Sequence, residues 1–142
     1  MFRTLDDRIM VAPQIDVAQI AEAKAQGVTL VINNRPDGEA PDEPQGPEIE
    51  AAARAAGLDY VAIPVGHGGF SQPQLDAMGA ALDTATGKVL AYCRSGTRST
   101  LLWSLARAKA GDAPQSLHEK ANSAGYDLTP VAALIDMLAA QK

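Results

Sequence analysis

The chain has 142 residues, 46% of them hydrophobic and 20% charged, with a formal net charge of -5. That length fits one domain, residues 1–142, with a core large enough to need neither metal nor disulfide. The acidic balance excludes a global basic footprint for nucleic acid or anionic lipid, and no run approaches the ~18 apolar residues of a membrane helix.

The N-terminal MFRTLDDRIM is charged and has no apolar signal core, so the expected location is the cytoplasm, where a lone thiol stays reduced. FRTL and RIMVAP read as short strands around an Asp6-Asp7 turn. Asp16 caps a helix to about Gln26, with Val17, Ile20 and Ala21 on one face and Gly27 as its stop. VTLVIN (28–33) is β-rich and apolar, a buried strand. Residues 34–47 carry four prolines, two glycines and four acidic side chains, a loop of the length that is functional or mobile.

Pro47 starts a helix to about Ala56, closed by Gly57. LDYVAIPV (58–65) is the next strand, and GHGGF a glycine-rich turn. Ser71 with Gln74 forms a capping-box signal for a helix that buries Leu75, Met78 and Leu82 and ends at Gly87. KVLAYC is the third apolar strand. The helix from Arg98 to Ala110 is Leu- and Ala-rich on most sides, hence central. Helices near 114–124 and 130–140 follow. In the last, Val131, Leu134, Ile135 and Leu138 have the spacing of one packed face.

Strands at 28–33, 58–63 and 88–92 alternating with helices imply right-handed βαβ units and a mainly parallel sheet. Ligands bind outside the carboxyl ends of such strands. Loops 34–47, 64–71 and 93–98 meet there, bringing Arg35, Asp37, Glu39, His67 and Cys93 to one end of the domain.

The only cysteine lies in KVLAYCRSGTRS. A strand that stops at Cys93 and a helix that starts near Arg98 leave a tight turn whose N–H groups make an anion cradle. The helix N-terminus adds partial positive charge. Gly96 permits φ > 0, and Arg98 offers a planar fork for two oxygens. Each feature favours the thiolate, the nucleophilic form. The alternative is a buried cysteine at a strand end.

Cys-x4-Arg followed by Ser resembles the cysteine-dependent protein tyrosine phosphatases and the rhodaneses. The stretches VAPQID, VINNRPDGE, YVAIPV, LAYCRSGTRS and AGYDL, in order from residue 11 to 128, resemble more closely the phosphatase-like domain of bacterial beta-lactamase-hydrolase-like proteins, some labelled sulfur transferases. That resemblance implies an α/β, dual-specificity-phosphatase-like three-layer fold. It also implies Cys93 as nucleophile, Arg98 as oxyanion-binding arginine, Ser99 as the hydroxyl that steadies the sulfur as leaving group, and Arg94, Ser95, Gly96 and Thr97 as the cradle.

Three departures bear on the chemistry. Phosphatases have Cys-x5-Arg, one loop residue more, and place His where Tyr92 stands. Their catalytic Asp follows the strand matching 58–63, where this chain has VGHGGFS and no carboxylate before Asp76. A phosphoryl group needs donors for three equatorial oxygens. A narrower ring fits one sulfur carried on Cys93 as a persulfide, and CRSGTR matches the rhodanese-type Cys-Arg-x-Gly-x-Arg loop. Sulfane-sulfur transfer needs no strong general acid, so it ranks first. Phosphomonoester hydrolysis through a phosphocysteine is the alternative, and a non-catalytic anion-binding or redox-sensing module the third reading.

The expected partner is a small anion: thiosulfate, a persulfide or a phosphate ester. Arg94 would steer it at the pocket mouth. His67, in the loop where the family keeps its acid, is a candidate acid–base group, with Asp37 and Glu39 in the phosphatase scheme. Arg35 and Asp37 belong to a turn that contacts substrate or supports the cysteine loop. Tyr92 packs or hydrogen-bonds beneath that loop. Trp103 reads as core and His118 as surface. Two distant histidines and one cysteine give no metal-ligand spacing, and no cofactor is expected.

Overall fold

The computed structural model describes residues 2–36, 45–66 and 69–141. Five strands form one sheet: β1 (Arg3–Thr4), β2 (Ile9–Ala12), β3 (Val28–Asn33), β4 (Asp59–Ala62) and β5 (Lys88–Tyr92). Their order is β1-β2-β5-β3-β4. β1 runs antiparallel to β2; every other pairing is parallel.

Both faces of the sheet are covered, which is why its central strands read as continuous apolar runs. Helices α1 (Val17–Ala25) and α2 (Gly46–Ala55) lie on one face. Helices α3 (Gln72–Thr84), α4 (Thr97–Ala110), α5 (Pro114–Ser123) and α6 (Ala132–Ala140) lie on the other. The two-residue period of β5 serves both layers. Val89 and Ala91 enter the α3–α6 core, while Leu90 and Tyr92 enter the α1–α2 core. Central α4 buries residues around most of its circumference, including Trp103, which is core as expected.

The parallel strands end in register: Ala12 is opposite Tyr92, Tyr92 opposite Asn33, and Asn33 opposite Ala62. Their following segments therefore leave from one edge. The chain after β3 turns to α2 on one face, and the chain after neighbouring β5 turns to α4 on the other. That divergence is the topological switch point where open α/β sheets bind ligands.

Two expectations change in detail. In α1 the buried stripe is Ile20 and Ala23, not Val17, Ile20 and Ala21. At 100° per residue the stripe is centred between 20 and 23. Val17 and Ala21 are both displaced to its solvent side, and Val17 is 48% exposed. The single helix expected over 130–140 is a 3-10 turn, Thr129–Val131, leading into α6. Pro130 lies in the turn, and the i→i+4 ladder begins only after it.

The capping box at α3 is present in full. Gln74 N–H donates to Ser71 Oγ and Ser71 N–H donates to Gln74 Oε1. Gln74 Nε2 also donates to the Pro64 carbonyl at 2.9 Å, tying α3 to the segment after β4. Ser71→Ala is expected to cost about 1 kcal/mol, read as a fall in melting temperature of about 2–4 °C.

Candidate active site

Cys93 follows directly on β5 at the switch point and is fully buried. Its N–H donates to the Ala12 carbonyl at 3.3 Å, and the Arg94 carbonyl accepts from Gln14 N–H at 3.3 Å. The cysteine loop is thereby stitched to the segment after β2. The turn closes at Gly96, whose φ of +89° is left-handed and favours glycine. There the N–H of Gly96 donates to Cys93 Sγ at 3.1 Å.

α4 begins at the next residue. The Gly96 carbonyl accepts from both the N–H and the Oγ1 of Thr100, at 3.0 and 2.8 Å. The loop thus curls back on its own sulfur, and the N-terminal end of a fourteen-residue helix stands beside it. Both features stabilise negative charge at that point.

The remaining loop residues divide their roles. Thr97 N–H donates to Ser95 Oγ, which in turn donates to Thr97 Oγ1. Arg94, Ser95 and Thr97 are exposed. Arg98 Nη1 donates to the Val65 carbonyl at 2.6 Å, so its guanidinium bridges the loop to the segment after β4. Ser99 Oγ is buried and makes no hydrogen bond among the described residues, to the sulfur or elsewhere. The contact implied for it is therefore not formed in this state.

Arg35 is buried and donates from Nη1 to Gln14 Oε1 at 2.7 Å, reaching the cysteine loop through the residue that holds Arg94. Next to it, Asn34 N–H donates to the Tyr92 carbonyl at 2.8 Å and Asn34 Nδ2 to the Ile63 carbonyl at 2.9 Å. The Asn-Asn-Arg stretch thus fastens together the ends of three strands. A cleft of about 150 Å³ lies on the α2 side, lined by Asn33, Arg35, Glu50, Tyr60 and Pro64. Cys93 does not line it. The candidate residues Asp37, Glu39 and His67 lie outside the described residues. Asp76, on α3, is ion-paired with Lys109 at 2.6 Å. His118 is half-buried on α5.

Sequence reasoning missed Tyr126. Its hydroxyl donates to the Ser95 carbonyl at 3.1 Å, and a Cβ built on Gly96 would collide with that hydroxyl. The available signal was the AGYDL stretch, but nothing in the local pattern says that a tyrosine thirty residues downstream returns to the loop.

Burial raises the Tyr126 phenol pKa, and a Cys93 negative charge adds to this, against the opposing effect of Arg3. A raised folded-state pKa contributes stability that is full below the unfolded value of about 10 and is lost as pH rises through the folded one. In a titration by phenolate absorbance, Tyr126→Phe is expected to remove a transition that wild type shows above that value.

A family model described as beta-lactamase hydrolase-like protein, phosphatase-like domain, matches residues 1–110. A beta-lactamase hydrolase-like protein of Agrobacterium fabrum is 34% identical over 125 residues, which is 87% of this chain and 29% of that protein. The chain thus spans less than a third of the length of the curated relatives it matches. A Neisseria meningitidis structure described as that of a candidate phosphatase superposes with a TM-score of 0.84 at 28% identity, covering 96% of each chain. Tk-PTP in its active form superposes with a TM-score of 0.73 at 18% identity, covering 99% of this chain and 97% of that one, a likeness of fold alone. Among the described residues, no helix is long and apolar enough to cross a membrane.

Proposed function

The chain belongs to the phosphatase-like domain family of beta-lactamase hydrolase-like proteins, and from that premise we propose that it is a cysteine-based phosphatase acting on a small phosphomonoester. The observation that carries the reading is the Gly96 N–H donated to Cys93 Sγ at the foot of α4. A nucleophile needs its anion stabilised, and the same cradle then receives the oxygens of the transferred group. This reverses the order of preference drawn from loop length, because the family is described as phosphatase-like and the Neisseria meningitidis structure as that of a candidate phosphatase.

In the proposed reaction, Cys93 thiolate attacks phosphorus, forming an S–P bond as the ester O–P bond breaks. The leaving oxygen departs with the bonding pair. Loop amides and Arg98 hold the equatorial oxygens, and Arg94 attracts the dianion at the mouth. Water then attacks the phosphocysteine, releasing phosphate and restoring the thiolate, with Ser99 Oγ turning to donate to the departing sulfur. His67, Asp37 and Glu39 are the groups the chain offers for proton transfer. With no carboxylate in the VGHGGFS segment, esters of acidic alcohols, aryl phosphates above all, are the substrates this site favours.

Sulfane-sulfur transfer is the second reading, favoured by the six-residue span from Cys93 to Arg98. Two assays on the same preparation decide between them: phosphate release from an aryl phosphate, and thiocyanate formation from thiosulfate and cyanide. The proposal predicts the first. Thiocyanate formation without phosphate release would replace it with the second reading.

A further inference from the structure

We propose that Tyr126 is a positioning residue for the cysteine loop: its hydroxyl fixes the Ser95–Gly96 peptide so that the Gly96 N–H is aimed at the Cys93 sulfur. The inference rests on the reading of Cys93 as nucleophile and deepens it.

Two hydrogen bonds use the two ends of one peptide unit. Tyr126 donates to the Ser95 carbonyl at 3.1 Å, and the Gly96 N–H of the same unit donates to Cys93 Sγ at 3.1 Å. In a trans peptide the C=O and N–H point in opposite directions across one rigid plane. Holding the carbonyl outward therefore aims the amide inward. A glycine at the hinge makes the hold necessary, because Gly96 can adopt other backbone angles at little cost. Half a turn of that plane would present a carbonyl oxygen to the sulfur, which repels a thiolate and any anion it attacks.

Tyr126 reaches the loop from a fixed seat. Its own N–H donates to the Ala121 carbonyl at 2.9 Å, and its ring packs against the α3–α6 core. The Arg3 guanidinium lies 5.5 Å from the ring centroid, and Arg3 Nη1 donates to the Ala124 carbonyl at 2.9 Å. The hydroxyl sits so close to Gly96 that a methyl group there has no room. Through the Tyr126 hydroxyl the turn after α5 thus braces a loop that it does not adjoin in sequence.

The test compares wild type, Tyr126→Phe and Arg3→Gln by three readouts: the Gly96 amide proton shift, the rate of Cys93 alkylation by iodoacetamide at neutral pH, and kcat on an aryl phosphate. Tyr126→Phe is expected to move the Gly96 amide signal and to slow alkylation and kcat about three- to tenfold, the factor one neutral hydrogen bond carries. Its melting temperature should stay within a few degrees of wild type. Arg3→Gln keeps the hydroxyl and should alkylate within about twofold of wild type.

An unchanged Gly96 signal and alkylation rate in Tyr126→Phe would overturn the proposal. So would equal losses in both variants, which would mean a loosened turn, or a Tyr126→Phe protein that cannot fold, which would make the hydroxyl a stability element. If wild type releases no phosphate, the catalytic reading fails separately, while the amide shift and alkylation rate still judge Tyr126.

Discussion

Cys93→Ser is expected to abolish phosphate release, by about a thousandfold or more, with the melting temperature within a few degrees of wild type. The size follows from the role. The serine hydroxyl is a far weaker nucleophile than the thiolate, so removing the thiolate removes the covalent route. The fold should survive because the change is close to isosteric and Gly96 N–H can donate to oxygen as it does to sulfur. The cradle itself remains. The variant should therefore still bind inorganic phosphate, seen as shifts of loop amides on titration. Turnover retained in Cys93→Ser would place the chemistry elsewhere.

Gly96→Ala carries the second large effect, and it acts on stability and rate together. An alanine at φ +89° is strained, by about 1–2 kcal/mol. In addition its methyl group meets the Tyr126 hydroxyl, so either the tyrosine or the peptide must move. Both movements misdirect the amide that faces the sulfur. The expected result is a loss of about 1–3 kcal/mol in stability with a fall in kcat of about tenfold or more. Gly57→Ala is the control. Its φ of +86° carries similar strain, but its nearest neighbour is a lysine tip 4.0 Å away, and it closes α2 rather than the cysteine loop. That variant should lose stability and keep its rate. Equal rate losses in both would show that strain anywhere in the fold suffices.

How much of this was legible beforehand follows from the range of each interaction. The buried strands, the capping box at Ser71 and Gln74, and the glycine stops at Gly27 and Gly57 are local signals, decided within a few residues, and the structure has them. The stop expected at Gly87 falls earlier, since α3 ends at Thr84 where Ala85 turns extended. The parallel sheet and its functional edge follow from strand–helix alternation and the handedness of crossovers. The rotational phase of α1 was not local. Which side of a short helix faces the sheet depends on the neighbouring strand and on Ile15, so Val17 could not be told from Ala23 by composition.

At the site, the turn at Gly96 was readable because only glycine takes that φ comfortably. The partners that brace it were not. Gln14, Val65 and Tyr126 reach the loop from three separate segments, and no spacing rule connects them to Cys93. The choice between sulfur and phosphorus was also beyond local pattern. Loop length pointed one way and the fold's relatives point the other, since two chemistries can share one anion cradle.

The most direct measurement is the mass of the Cys93 peptide after acid quenching during turnover of an aryl phosphate. A phosphoryl group on Cys93, absent from unreacted protein, is the predicted result. An unmodified peptide at full turnover, or added sulfur on Cys93 after exposure to thiosulfate with none of the phosphoryl adduct, would contradict it.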